Sequence, residues 1–80
     1  MNIQDPKFYT KSGELTKYAL CCGYREQVSA GDTQLSLWLE HSCYHVRAHD
    51  LSNGGLIFWD SFPSLTAARN RFNSARRELA

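Results

Sequence analysis

Nothing in this sequence approaches the roughly 18 to 20 consecutive apolar residues that a membrane-spanning helix requires. The first 11 residues are polar and lack the apolar run of a signal peptide. The expectation is a cytoplasmic chain, in the host cytoplasm if it is viral, with no membrane partner. An excess of charge is missing too: 9 Lys+Arg stand against 8 Asp+Glu, so no whole-molecule field demands a polyanionic partner. Cysteine is scarce and odd in number. Cys21, Cys22 and Cys43 do not have the regular spacing of a secreted disulfide framework, and free thiols in a reducing compartment are expected. There is no internal repeat, low-complexity tract or long linker. Eighty residues leave little room for both a scaffold and a buried catalytic cleft, so the chain is expected not to be an enzyme and to need no cofactor.

What the chain does have is aromatic area. Two Trp, four Tyr and four Phe offer enough apolar surface to offset the entropy of folding. Residues 1–13, with turn-like Asp5-Pro6 and Lys11-Ser12-Gly13, are expected to form an N-terminal arm, and residues 14–80 a single compact domain. Between Leu15 and Val28, Tyr18, Leu20, Cys22 and Tyr24 recur at period two, which favours a strand. Ser12 as a cap and Gly23 as a stop would instead frame a short helix.

Further along, the alternation is plainer. Leu35, Leu37 and Leu39 interleave with Ser36, Trp38 and Glu40 after the Ala30-Gly31-Asp32 turn, and a tight turn is expected near His41-Ser42. From Cys43 to Asp50, Tyr44, Val46 and Ala48 fall on one side, and His45, Arg47 and His49 on the other. Ser52-Asn53-Gly54-Gly55 is the strongest turn signal, because Asn and Gly accept positive φ. A last strand is expected over 56–62. Leu65, Ala68, Phe72, Ala75 and Leu79 then recur at intervals of three and four, the stripe of an amphipathic helix with Ser64 as N-cap. The fold class is therefore α+β: a three- to four-stranded antiparallel meander with one C-terminal helix packed across one face.

One helix covers one side of such a sheet and leaves the other. With Tyr18, Leu20, Cys22, Tyr24, the three leucines, Tyr44, Val46, Leu56, Phe58 and Phe62 assigned to the helix side, the open face carries Arg25, Trp38, His45, Arg47, His49 and Trp59. Trp and Arg dominate binding hot spots, so these six are the candidate partner-binding residues. The arm, through Phe8 and Tyr9, is a competing cover for Trp38 or Trp59. A homodimer through the same face is another.

The C-terminal segment is locally basic. Residues 64–80 hold four arginines and one acid, and Arg69 and Arg76, off the apolar stripe and near each other on the helix, join the candidate partner-binding set. A metal site is not expected, since His45 and His49 on one strand face lie roughly 13 Å apart. The cysteines read best as small buried hydrophobes. No catalytic residue emerges, for the carboxylates are scattered and Gly54-Gly55 lacks the lysine of a phosphate loop.

The run Tyr44-His45-Val46-Arg47-Ala48-His49-Asp50, the glycine turn, Trp59-Asp60-Ser61-Phe62, and then Leu65, Ala67-Ala68-Arg69 and Phe72 resemble in layout the small accessory proteins encoded by bacteriophages, some of which are anti-CRISPR proteins. The resemblance covers residues 18 to 79. It implies a non-enzymatic inhibitor that binds a host protein or defence complex and occludes its surface. The alternative from another class is a single-stranded nucleic-acid binder, with Trp38 and Trp59 stacking bases and Arg25 and Arg47 contacting the backbone.

Overall fold

A computed structural model describes residues 7–79. Its elements run α1 (Lys17–Cys21), β1 (Glu26–Ala30), β2 (Thr33–Glu40), β3 (Cys43–Asp50), β4 (Leu56–Phe62) and α2 (Leu65–Leu79). The strands form one antiparallel sheet in the order β1-β2-β3-β4, so the fold is α+β with a meander sheet.

The turns explain the meander. Gly31 and Asp32 link β1 to β2, with Ala30 opposite Thr33 and Gly31 at φ 62°. His41 and Ser42 link β2 to β3 at φ 53° and 65°, the doubly left-handed geometry of a type I′ hairpin. Between β3 and β4 the Asp50 amide donates to the Gly55 carbonyl and the Asn53 carboxamide oxygen accepts from the Gly55 amide, at 2.8 and 2.7 Å. The polar, glycine-containing sequence of that loop supplies these partners locally.

Helix α2 begins where the Ser64 hydroxyl accepts from the Ala67 amide at 3.2 Å, the expected cap. Ala68, Phe72 and Ala75 bury its stripe against Leu35, Leu37, Tyr44, Val46 and Ala48, with Phe58, Phe62, Leu65 and Leu79 at the margin. Phe72 is the largest fully buried side chain, and the two alanines let the helix backbone approach the sheet.

Three expectations need correction. Residues Tyr18, Leu20, Cys22 and Tyr24 do not form a strand. Thr16, rather than Ser12, caps α1 by accepting from the Ala19 amide, and Gly23 at φ 95° ends it. The Gly23 amide bonds the Leu20 carbonyl and the Tyr24 amide the Ala19 carbonyl, a Schellman closure. Of those four residues only Leu20 enters the core. Tyr18, Cys22 and Tyr24 are exposed.

The second correction is Leu56, assigned above to the helix side. A bulge at the Ala48/His49 step pairs Ala48 with Phe58 and His49 with Leu56, leaving Ile57 as the extra residue. The parity of β4 flips there, and Leu56 joins the open face. The cysteines also differ from expectation: all three are free, but Cys21 and Cys22 lie exposed at the end of α1.

In the arm, Tyr9 bridges Leu15, and the Thr16 amide donates to the Phe8 carbonyl at 2.9 Å. The Phe8 ring meets Tyr18 and Tyr24, with centroids 5.7 and 5.3 Å away, and it packs with Tyr9 against the core cluster. These contacts draw the two rings toward α1 and the helix side. Asp5-Pro6 lies outside the described residues.

Candidate protein interface

The strands place the open-face residues in register. Trp38 stands opposite His45 across β2–β3, while His45 faces Ser61 and Arg47 faces Trp59 across β3–β4. Cross-strand pairs on one face are the closest side-chain neighbours a sheet provides, and large rings there must meet. Trp38 stacks on His45 with centroids 5.1 Å apart and 19° between planes, and meets Trp59 edge-on at 5.5 Å.

Two cations close over this cluster. The Arg25 guanidinium, just before β1, lies 4.6 Å from the Trp38 ring centre, and that of Arg47 lies 5.2 Å from Trp38 and 5.5 Å from Trp59. Each such contact contributes on the order of 0.5 to 2 kcal/mol. The consequence is asymmetric. Trp38 is only 6% exposed and donates its indole N–H to the Glu40 carboxylate at 3.2 Å, whereas Trp59 remains 49% exposed. Trp38 thus acts as the small second core of the open face, and Trp59 is its surface ring.

His45 organises the rest. Its Nε2 lies 3.1 Å from the Glu40 carbonyl, an acceptor, so this nitrogen carries the proton and Nδ1 accepts. Nδ1 receives the Trp59 indole N–H at 3.2 Å and the Ser61 hydroxyl at 2.8 Å. The Ser61–His45 pair lies within the reach of a nucleophile and its base. Here, however, the same nitrogen also holds Trp59 and the imidazole is stacked on Trp38, so the ring serves as a fixed acceptor.

Beside Trp59 a shallow groove of about 370 Å³ is lined by Arg47, His49, Gly54, Leu56 and Trp59. Leu56 is 61% and Ile57 46% exposed. The buried Nε of Arg47 has no hydrogen-bond partner.

Of the eight residues singled out from the sequence, six gather on this face. Arg69 and Arg76 do not. Arg69 is turned inward with its side chain 13% exposed, donating to Glu26 at 2.7 Å and to the Leu15 carbonyl at 2.9 Å, with Glu14 at 3.8 Å. It ties α2 to β1 and to the segment before α1, so the expectation of a free surface cation at Arg69 is corrected. Arg76 is exposed in the last turn of α2 and borders a separate recess next to β1. Arg71 pairs with Asp60 at 3.1 Å and Glu78 at 3.9 Å.

Sequence reading assigned Leu56 to the helix side and passed over Ile57 and Ser61. A signal did exist for the first two: Leu56-Ile57-Phe58 places three apolar residues in succession, and a strand cannot turn all three to one face.

Compared with known proteins, the chain matches no family model, no curated protein and no solved structure. Among the described residues no three His, Cys, Asp or Glu side chains cluster as metal ligands, and no helix is long and apolar enough to cross a membrane.

Proposed function

We propose that this domain is a non-enzymatic protein-binding module that docks through the open sheet face, with Trp59 as its anchor. The observation that carries this reading is the half-exposed Trp59 ring, pinned by His45 and Arg47 and sharing a groove with the exposed Leu56. A large aromatic held in one orientation binds with little further loss of side-chain entropy, which is the character of an interface hot spot. In the phage-accessory reading, the partner is a host defence protein and the module acts by occluding its surface.

The nucleic-acid alternative draws support from Arg25 and Arg47 on the same face, but the burial of Trp38 leaves one exposed ring there where base stacking along a strand uses several. A pull-down from bacterial lysate, with and without nuclease, separates the two. The expected result is a nuclease-resistant protein partner that the Trp59→Ala variant loses. Recovery of nucleic acid alone contradicts the proposal, as does a partner retained by the variant. Trp38 is left intact in this test because its burial makes it part of the fold.

A further inference from the structure

The near-neutral net charge conceals a segregation that the fold creates. On the helix side, Glu14 and Glu26 are committed to Arg69, and Asp60 and Glu78 to Arg71. Among the described residues, the one carboxylate in strand register on the open face is Glu40, at the end of β2, and it accepts from Trp38. Among the described residues no carboxylate forms an ion pair with Arg25 or Arg47. The C-terminal helix, basic in sequence, has two of its four arginines engaged with acids, whereas among the described residues neither arginine of the sheet face has an ion-pair partner.

Deepening the reading just given, on which this step rests, we propose that the partner presents an extended acidic segment to β4 and the groove beside it. Three features select that chemistry. Arg47 has no carboxylate partner among the described residues, so the charge of its guanidinium is left for an incoming carboxylate. The groove places Arg47 and His49 alongside Leu56 and Trp59, so a carboxylate and an apolar side chain can be held together. Finally, β4 is an edge strand, and the bulge at Ile57 leaves its 58–62 stretch as the regular part of the outer edge to which an extended backbone can add. Side chains of an added strand alternate between the faces, so a carboxylate and a large apolar residue two positions apart would both lie over the open face.

The test is to pan a random nine-residue peptide display library against the folded domain, then to measure binding of the enriched peptides to wild type and variants. Enriched sequences are expected to carry Asp or Glu two positions from a large apolar residue. They should bind about tenfold or more weakly to Arg47→Gln and to Leu56→Ser. Leu56 is exposed, so its variant remains informative if Arg47→Gln perturbs the fold. On binding, amide resonances of 58–62 and the Trp59 indole N–H should shift.

Enrichment of neutral or basic peptides that still require Trp59 overturns the acidic partner and leaves the binding module standing. Peptides indifferent to Trp59→Ala, or no enrichment at all, count against both. Displacement of bound peptide by oligothymidylate at equal concentration would make a nucleic acid the better occupant and overturn the proposal.

Discussion

Trp59 donates its indole N–H to Nδ1 of His45, 3.2 Å away across the β3–β4 pair. The indole can only donate, so its bond depends on this one acceptor. In His45→Phe a ring is kept but the acceptor is gone, and the Trp59 indole N–H resonance should move toward its solvent-exposed position while that of Trp38, bound to Glu40, moves less. Equal movement of both indoles would contradict the assignment of His45 as the Trp59 acceptor.

Arg69 and Arg71 lie two residues apart on α2 but should differ in weight. Arg69→Leu leaves the part-buried Glu26 without its cation and the Leu15 carbonyl without its donor, at a cost of about 2 to 4 kcal/mol. Arg71 is more exposed, and Arg71→Leu should cost about 1 kcal/mol or less from its ion pairs. Urea unfolding of the two variants measures the contrast. Pairing Arg69→Leu with Glu26→Leu should recover much of the loss.

The turns carry conformational strain at identifiable residues. A Cβ on Gly31 would stand 2.8 Å from the Leu79 carbonyl at a left-handed φ, so Gly31→Ala should destabilise by about 1 to 3 kcal/mol. Gly23→Ala meets open space, and only its φ of 95° should cost, about 1 kcal/mol. Replacing His41-Ser42 with Asn-Gly, the pair that a type I′ turn favours, should raise stability by about 0.5 to 2 kcal/mol. Thermal melts rank the three variants.

Asp50 links the β3–β4 turn to pH. The Ser52 hydroxyl at 2.6 Å and its amide at 2.8 Å donate to the Asp50 carboxylate, holding its carboxyl below the usual value of 3.8. A depressed value in the folded state means the stabilisation is present above the unfolded value and lost as pH falls through the folded one. Asp50→Asn should therefore be less stable than wild type at pH 6, and the difference should close in acid. A gap in urea midpoint that stays constant from pH 6 to pH 2 would contradict this.

How far the sequence could be read follows from the range of each interaction. The alternation of Leu35, Leu37 and Leu39 and the stripe from Leu65 to Leu79 are single-element patterns, and both appear as expected. Helix α1 has five residues, too few to display a 3.6-residue period, so the chance spacing of Tyr18, Leu20, Cys22 and Tyr24 outweighed the helical reading, and that reading placed the cap at Ser12 instead of Thr16. Leu56 was misplaced because a bulge shifts parity without marking the strand that carries it. The pairing of Arg69 with Glu26 spans 43 residues and belongs to tertiary structure alone. Trp38 was rightly placed on the open face, but its burial depends on cations from two strands' ends and middles, which no local pattern encodes.

The account stands or falls on whether partners meet β4. A photo-crosslinking amino acid at Ile57, exposed on β4 two residues before Trp59, and the same group at Asn70, exposed on α2, test that in the native chain. After irradiation in nuclease-treated lysate, the account predicts a discrete protein adduct from position 57 that disappears with Trp59→Ala, and none from position 70. Adducts from position 70 alone, or a 57 adduct unaffected by Trp59→Ala, would contradict it.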